Sequence, residues 1–441
     1  MRNVFEELIE SRAKDSRHSL YSVCSSNTLV LEATIRRAAR TGLPVLVEAT
    51  ANQVNQNGGY TGLHPSDFAA QLDELCRRYG TERDLVIFGG DHLGPYPWRN
   101  LQADQAMEAA ERLVREFVAA GAKKIHLDAS MGLGGDDSPS PEAELVANRA
   151  VTLCAAAEDE YSRLKAHGEH FQPPPVYVIG TEVPVPGGAV GDGDFIQNGG
   201  SDFPHPTSSE SLLETIDQHE KAFIEAGLGD AWRRVIAVVV QPGMEFGSGI
   251  VHPYKREKIA ELKKTVAKRS SLFFEGHSTD YQSDGALRAL VEDRFIFLKV
   301  GPALTFALRE ALIGLSYIEA LVSGDGQNRI ELALLRIMKS NDKYWKDYYP
   351  KDEKPLLLYS LSDRVRYYWD TPEMRLEIER LFSVLQNYDL MPGLISQYLP
   401  RFGGPHNIAI LPRSITPREL ALAAVDAELA RYEIACHETK T

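Results

Sequence analysis

The sequence predicts an α/β protein, a (β/α)₈ TIM barrel with a helical C-terminal extension. Eight short apolar runs without polar alternation are typical of parallel strands buried on both faces, and each is followed by a segment with helical spacing. Polar residues also gather where these runs end, all along the series. A doubly wound open sheet is the alternative, but equally apolar first and last strands favour closure into a barrel.

The strands and helices follow one another in strict alternation. The predicted strands are Leu20–Ser25, Pro44–Thr50, Leu85–Gly90, Lys124–Ser130, Val176–Glu182, Val235–Pro242, Leu272–His277 and Phe295–Gly301. Apolar residues recurring at intervals of three or four predict the helices, and a proline with capping candidates marks the start of the second. The predicted helices are Thr28–Arg40, Pro65–Tyr79, Leu101–Ala120, Pro141–Ala166, Ser208–Ala226, Glu257–Lys268, Asp284–Glu292 and Ala303–Leu321.

Two regions depart from this alternation. The long Gly-, Asp- and Pro-rich loop Pro184–Pro206 is compatible with a lid over a site and equally with a surface excursion. Beyond residue 323 the apolar strands stop. We therefore predict a barrel over residues 1–323 that carries the site, and a helical extension over 324–441 packed on it. Its helical segments are predicted at Tyr344–Tyr349, Tyr359–Trp369 and Glu373–Asn387, with a turn at Pro400–Pro405.

The composition excludes several classes of protein. A net charge of −14 argues against general binding of nucleic acid or anionic membranes, which requires clustered Lys and Arg. No run approaches the roughly 20 apolar residues that span a bilayer, and residues 1–16 show no signal-peptide core. The four cysteines form no CxxC pair, which favours packing over metal binding and predicts reduced thiols in the cytoplasm. A homo-oligomer is compatible with the sequence.

Two strand ends carry a histidine, and a third carries a glutamate. His92 follows Asp91 at the end of the third strand, His277 ends the seventh, and Glu182 ends the fifth. A single histidine is more often structural, but two imidazoles and a carboxylate on barrel strand ends predict an open divalent metal site, with zinc expected. Asp91 is a candidate proton carrier. Asp128, which shares a strand face with His126, is a second candidate, or else a capping residue.

Other polar strand ends suit a polyhydroxylated, phosphorylated ligand. The amide-rich segment after strand two predicts sugar binding, although Asn and Gly also form self-bonded turns. The candidate sugar-binding residues are Glu48, Asn52, Asn55, Gln241, Asp280 and Tyr281. Barrels often bind phosphate between the loops after strands seven and eight, at a helix start. The candidate phosphate-binding residues are Ser278, Thr279, Gly301 and Thr305, with Gly301 equally compatible with a plain turn.

Several motifs along the barrel resemble the GatZ/KbaZ family. These are Tyr21–Asn27, Val47–Thr50, Asn52–Gln56, Gly58–Gly62, Gly89–Pro95, Lys124–Ser130, Gly180–Gly188 and Phe274–Gln282. The family carries the name of a tagatose-bisphosphate aldolase subunit, has also been labelled a tagatose 6-phosphate kinase, and is related to metal-dependent class II aldolases. No GxxxxGK[ST] or strand-linked GxGxxG supports nucleotide chemistry, so kinase activity is not expected.

The resemblance implies roles and leaves two functions open. Asp91 and His92 match a base and a metal ligand, while Glu182 and His277 match further groups at the metal. The strand-six ligand histidine is missing, and Gln241 stands in its place. The resemblance implies either C4 epimerisation of a ketose such as tagatose 6-phosphate, which we favour, or a non-catalytic subunit stabilising a separate class II aldolase.

Overall fold

The computed structural model describes residues 4–14, 18–138, 140–168, 173–180, 204–269, 272–349, 353–402 and 415–437. Within them, eight parallel strands close into a barrel in the order β1-β10-β9-β6-β5-β4-β3-β2. Strand β1 pairs with β10 from Leu20 opposite Phe297 to Val23 opposite Val300, which closes the ring and excludes an open sheet. The barrel strands are β1 Leu20–Val23, β2 Val45–Thr50, β3 Val86–Leu93, β4 Lys124–Leu127, β5 Val176–Ile179, β6 Val235–Val239, β9 Phe273–Gly276 and β10 Phe295–Val300.

The intervening helices lie close to their predicted positions. Side-chain caps explain several starts: Asn27 accepts from the backbone N–H groups of Leu29 and Val30, and Ser208 and Ser283 cap later helices in the same way. The helices are α1 Val4–Lys14, α2 Thr28–Thr41, α3 Pro65–Tyr79, α4 Ala103–Ala119, α5 Ala143–Ala166, α6 Ser209–Glu225, α7 Gly229–Trp232, α8 Ala260–Val266, α9 Asp284–Glu292 and α10 Pro302–Ser323. None of the helices in the described residues is long and apolar enough to cross a membrane.

Helix α1 closes the amino end of the barrel. Phe5 and Leu8 are buried in an apolar cluster with inward residues of the strands, such as Leu46 and Ile87. The Phe5 ring meets Phe297 edge-to-face at 6.0 Å. Because this end is sealed by apolar side chains, a polar ligand can be accommodated only at the opposite, carboxyl end of the strands.

A short hairpin that the sequence analysis did not predict follows β6. Its antiparallel strands are β7 Glu245–Phe246 and β8 Val251–His252. Gln241 lies at its base: the Gln241 side-chain oxygen accepts from Gly243 N at 2.9 Å, and Gln241 N donates to the Thr207 hydroxyl at 2.8 Å. These contacts hold the Gln241 amide in a local turn.

The chain after residue 323 is mainly helical, but two predicted segments differ from the prediction. Tyr344–Tyr349 forms turns instead of a helix. Tyr359 is the last residue of an α-helix, and in the rest of Tyr359–Trp369 only a 3₁₀ turn, Arg364–Tyr367, is helical. Aromatic packing and side-chain hydrogen bonds stabilise both segments without helical periodicity. The extension helices are α11 Arg329–Ser340, α12 Lys354–Tyr359, α13 Pro372–Leu385, α14 Pro392–Tyr398 and α15 Pro417–His437, and a 3₁₀ turn spans Pro400–Phe402.

The last helix, α15, packs into the outer ring of the barrel, against α2, α9 and α10. Arg37 of α2 pairs with Glu433 at 2.8 Å and with Asp426 at 3.1 Å. The Tyr432 hydroxyl donates to Thr279 O, in the loop after β9, at 2.8 Å. The two predicted regions, 1–323 and 324–441, therefore share a large interface, and the boundary between them stays a prediction.

Candidate active site

Three histidines from different strands meet at the carboxyl end of the barrel. His92 lies in β3, His126 in β4 and His277 directly after β9. Their ring centroids are 4.8, 4.8 and 5.4 Å apart. Together with Asp91 they offer one donor atom each, all within 4.8 Å of one another, and all four residues are buried.

The backbone of β3 directs Asp91 and His92 toward this point. The pairing of β3 with β4 shifts between Gly90 and Leu93, and His92 has the left-handed φ of 48°. Such an irregularity redirects side chains that would otherwise alternate across the strand. Gly94 then passes so close to Asp128 that a Cβ at this position would lie 1.6 Å from the carbonyl oxygen of Asp128. A glycine is required there for β3 and the β4 loop to approach.

Each histidine is oriented by an acceptor on the nitrogen that faces away from the cluster. His92 Nδ1 lies 2.7 Å from Asp128, His277 Nε2 lies 2.9 Å from Glu275, and His126 Nε2 lies 3.3 Å from Gly180 O. With the proton on these nitrogens, the inward nitrogens of His92 and His277 present lone pairs to the cluster. Histidines that bind metal ions are held in this way. The inward nitrogen of His126, Nδ1, accepts from the backbone N–H of His92 at 3.3 Å, and a metal ion would have to replace this hydrogen bond.

Burial and charge determine the protonation of the rings. Burial and the nearby Lys299 lower the pKa of His277 to about 3. Burial also lowers the pKa of His126. Burial opposes protonation of His92 as well, but Asp91 and Asp128 outweigh it and raise the pKa of His92 above its ordinary value. Two of the three imidazoles are therefore neutral at pH 7, the form that binds a metal ion.

The two aspartates of the site are both held as carboxylates. Burial raises the pKa of Asp91, but His92 and Lys299 outweigh it, so that the pKa lies well below its ordinary value. The Asp128 carboxyl is likewise buried, and its hydrogen bond to His92 lowers its pKa. Ser130 donates to Asp128 through its backbone N–H at 3.1 Å and its hydroxyl at 2.6 Å.

A layer of buried charges lies directly beneath the cluster. Lys124 Nζ is 2.7 Å from Glu48 and 2.6 Å from Glu275, and all three side chains are fully buried. Lys299 Nζ is 2.8 Å from Glu275 and forms a second ion pair with Asp91. Buried carboxylates require such partners, because an unpaired charge in the core is very costly. The two lysines thus hold Glu275 and Asp91 in place, and Glu275 in turn orients His277.

The arrangement fits a divalent cation. Imidazole nitrogens and a carboxylate oxygen are ligands that Zn²⁺ accepts, and the three rings are already oriented by outer hydrogen bonds. The third imidazole comes from β4, two residues before Asp128. His126 shares a strand face with Asp128 but was not among the predicted ligands, and the third histidine was expected at the position of Gln241.

The remaining residues that were predicted to bind metal or sugar have different surroundings in the structure. Glu182, with most of the loop Pro184–Pro206, lies outside the described residues, so its predicted role as a metal ligand stays a prediction. Asn52 is half-buried in the loop after β2. Asn55 accepts from Asn57 N and Gly59 N at 2.8 and 3.0 Å, which is the self-bonded turn considered as the alternative. Glu48 belongs to the buried charge layer.

The predicted phosphate-binding residues make contacts within the chain. Asp280 accepts from Gly301 N at 3.0 Å and from Ala303 N at 2.8 Å, so a side chain of the protein already occupies the start of α10. The Thr279 hydroxyl donates to Lys299 O at 2.6 Å, and the Thr305 hydroxyl donates to Asp363 at 2.6 Å. Ser278 lies beside Glu245. The phosphate assignment stays a prediction that these contacts do not favour.

Several residues of the site were not predicted as functional. Lys124, Lys299 and Glu275 lie inside apolar strand segments, and only the barrel closure brings them together. Glu245, in the unpredicted hairpin, is fully buried, and burial raises its pKa to about 7. A charged residue in an otherwise apolar strand is the signal that identifies the lysines, because such a residue needs a buried partner.

A closed parallel barrel with a histidine–aspartate cluster at its carboxyl end defines an α/β-barrel protein with a candidate metal centre. The chain belongs to the GatZ/KbaZ-like family, since the model described as D-tagatose-1,6-bisphosphate aldolase subunit GatZ/KbaZ-like matches residues 5–437.

Similar proteins carry more than one functional name. A D-tagatose 6-phosphate 4-epimerase of Agrobacterium fabrum is 42% identical over 442 residues, covering 99% of each chain. A GatZ subunit of D-tagatose-1,6-bisphosphate aldolase from Salmonella dublin is 40% identical over 440 residues, covering 98% of this chain and 99% of its own. A probable tagatose 6 phosphate kinase from Sinorhizobium meliloti 1021 has a solved structure with a TM-score of 0.82 and 39% identity, covering 95% of this chain and 100% of that one.

Proposed function

We propose that this chain is an enzyme that epimerises D-tagatose 6-phosphate at C4 to give D-fructose 6-phosphate. The observation that carries the proposal is the buried cluster of His92, His126, His277 and Asp91, in which every imidazole is oriented from outside. A subunit that only stabilises a partner gains nothing from such a set. The similarity over nearly the full length to a D-tagatose 6-phosphate 4-epimerase supports the same substrate.

The reaction must avoid direct removal of the C4 hydrogen. C4 lies beta to the C2 carbonyl, so this hydrogen is not acidic. Retro-aldol cleavage solves the problem: a base takes the C4 hydroxyl proton, C4 becomes an aldehyde, and the electrons of the C3–C4 bond pass into an enediolate over C2 and C3. Rotation of the aldehyde fragment and re-formation of the bond invert C4. The phosphate stays on the aldehyde fragment throughout.

The residues of the cluster suit these steps. Asp91, held as a carboxylate, is the base that we assign to the C4 hydroxyl. Asp128 positions His92 through Nδ1, and the Lys299 ammonium group next to Asp91 favours negative charge developing on the substrate oxygens. A divalent ion, which we expect to be zinc, would be held by His92, His126 and His277, and when bound it supplies Lewis-acid stabilisation of that charge.

The accessory-subunit function is the second candidate, because a similar chain is named as an aldolase subunit. In that case the chain would show no turnover alone and would raise the stability of a class II aldolase catalytic chain.

We place the protein in the cytoplasm on the basis of its four free cysteines and its sugar-phosphate chemistry.

The deciding experiment is incubation of the purified chain, loaded with divalent metal, with D-tagatose 6-phosphate. We expect conversion to D-fructose 6-phosphate without a partner and without ATP, and loss of conversion after chelation. Asp91→Asn should lower kcat by about 10²- to 10⁴-fold, whereas Asp104→Asn, in the first turn of α4, serves as the control. No conversion by the metal-loaded chain, together with stabilisation of an added aldolase, would support the accessory function instead.

A further inference from the structure

One segment of the C-terminal extension, residues 360–370, lies across the carboxyl end of the barrel, and we call it the strap. Leu361 N donates to Ser248 O, in the turn of the hairpin, at 2.9 Å. The Tyr281 hydroxyl, in the loop after β9, donates to Leu361 O at 2.5 Å. Near the other end of the strap, Asp370 accepts from Asn27 Nδ2 at 3.2 Å, at the start of α2. The strap therefore extends from the hairpin after β6 and the loop after β9 to the start of α2, which follows β1.

The strap places a half-buried arginine, Arg366, between two of these loops. Its guanidinium donates to the backbone oxygens of Ser362 and Asp363, the second at 3.2 Å, and to the Tyr367 hydroxyl at 3.0 Å. Tyr60, in the loop after β2, and Tyr281 lie close enough to interact with its charge. The Asp363 carboxylate also acts on the charge of Arg366, but it forms its ion pair with Arg309 at 2.7 Å; within the described part of the chain, no carboxylate forms an ion pair with Arg366.

A short series of contacts connects this arginine with the histidine cluster. Tyr60 packs edge-to-face on Tyr367 at 4.9 Å, and Gln53 and Ser26 hydrogen-bond the Tyr60 hydroxyl. The Gln53 amide donates to Cys24 O at 3.5 Å. The Cys24 thiol in turn lies within electrostatic range of Asp91 and Lys299. Arg366 thus stands on the same face as the cluster, separated from it by a few polar side chains.

Two arginines of the strap, Arg364 and Arg366, place positive charge near Tyr367. Burial raises the pKa of Tyr367, but Arg366 and Arg364 outweigh it and lower the pKa below its ordinary value. The Arg364 guanidinium stacks 3.0 Å from the centroid of the Tyr348 ring. By contrast, the loops after β9 and β10 present the Asp280 carboxylate at the start of α10, where it would repel an anion.

We propose that Arg366, with the Tyr60 and Tyr367 hydroxyls, is the site that binds the phosphate group of the sugar phosphate, in place of the loops after β9 and β10. The inference rests on the proposed function for the identity of the sugar. Three N–H groups of Arg366 are used within the strap, on Nη1 and Nη2. The Nε–H and the second N–H of Nη2 are the planar pair of donors that would match phosphate oxygens. Since the phosphate stays on the aldehyde fragment, this site would hold that fragment while its aldehyde group rotates to present the opposite face.

Binding measurements test the site independently of turnover. Calorimetry with D-tagatose 6-phosphate, D-tagatose and inorganic phosphate should show that Arg366→Gln weakens binding of the phosphorylated sugar by about 10- to 100-fold. Binding of D-tagatose should be unchanged. Arg366→Lys should recover part of the loss, and Arg329→Gln, an exposed arginine of α11, is the matched control. Circular dichroism and thermal unfolding verify that each variant is folded.

The outcomes separate this proposal from the proposed function. The phosphate site would be overturned if Arg366→Gln weakened binding of D-tagatose and of its 6-phosphate equally, or weakened neither. It would also be overturned if Thr305→Val selectively weakened binding of the 6-phosphate and Arg366→Gln did not. A wild-type chain that binds the phosphate through Arg366 but converts no tagatose 6-phosphate would retain the site and refute the epimerase. If the chain is active, Arg366→Gln should also release more triose phosphate per epimerised ketose.

Discussion

At the scale of single residues, the atoms outside the cluster decide which nitrogen each histidine directs inward. The acceptors are chemically different: two carboxylates, Asp128 and Glu275, and one backbone carbonyl, that of Gly180. A carboxylate acceptor makes an imidazole a stronger electron donor than a carbonyl does. His126 is accordingly the weakest donor of the three, although its position is fixed most tightly by complete burial.

Loss of His126 should weaken metal binding without unfolding the barrel. We expect His126→Asn to lower the affinity for Zn²⁺ at least about 10-fold, since one of three imidazoles is lost. Metal stoichiometry after dialysis against a competing chelator measures the effect. His167→Asn, an exposed histidine at the end of α5, provides the control. Full retention of metal by His126→Asn would remove His126 from the ligand set.

The predictability of the site depended on where each residue lies relative to a strand end. His92 and His277 were identified because each follows an apolar run at a polar turn. His126 lies within a strand, so its sequence context resembles that of a packed core residue. Lys124 and Lys299 are 175 positions apart in the chain (299 − 124), and both pair with Glu275 only because the barrel closes. No local pattern relates residues at that separation.

At the scale of elements, the barrel strands and their helices were predictable because continuous burial leaves an apolar run of characteristic length. The hairpin after β6 was not, since each of its strands has two residues and no periodicity develops. Tyr344–Tyr349 was predicted as one of the helical segments of the extension, where apolar strands are absent. The stacking of Tyr344 on Tyr367 at 4.9 Å instead stabilises a turn.

Helix α1, which closes the amino end of the barrel, should contribute measurably to the free energy of unfolding. Phe5→Ala should lower the free energy of unfolding by about 3 to 5 kcal/mol, because it removes a buried ring and leaves a cavity against Phe297. Denaturant titration is the measurement, with the exposed Glu7→Ala as control. A cost below about 1 kcal/mol would mean that α1 does not pack as described.

Helix α6 carries a buried histidine that should make stability depend on pH. Burial lowers the pKa of His219 from 6.5 to about 4. Between these values the unfolded chain binds more protons, so this contribution is complete above pH 6.5 and is lost as the pH falls toward 4. At pH 5 the loss amounts to about 2 kcal/mol. In His219→Gln, unfolding measured at pH 7.5 and pH 5 should show a correspondingly smaller difference than in the wild type.

At the scale of the whole molecule, the extension and the barrel should behave as one folding unit. Removing residues 324–441 would expose the apolar surfaces of α2 and α10 that α15 covers, and would leave Arg37 without Glu433. We therefore expect residues 1–323 alone to be insoluble or unfolded, and the full chain to unfold in one calorimetric transition. Two separate transitions, or a soluble folded barrel fragment, would contradict this expectation.

The paired lysines of the barrel floor also bear on the order in which the protein matures. The carboxylates of Glu48, Glu275 and Asp91 find cationic partners within the chain itself. Folding consequently does not have to wait for an ion to neutralise them, unlike small zinc domains that are unfolded without their metal. We expect the newly synthesised polypeptide to fold into a complete barrel before it binds a metal ion. Its activation in the cell would then follow the supply of metal ion rather than the rate of folding.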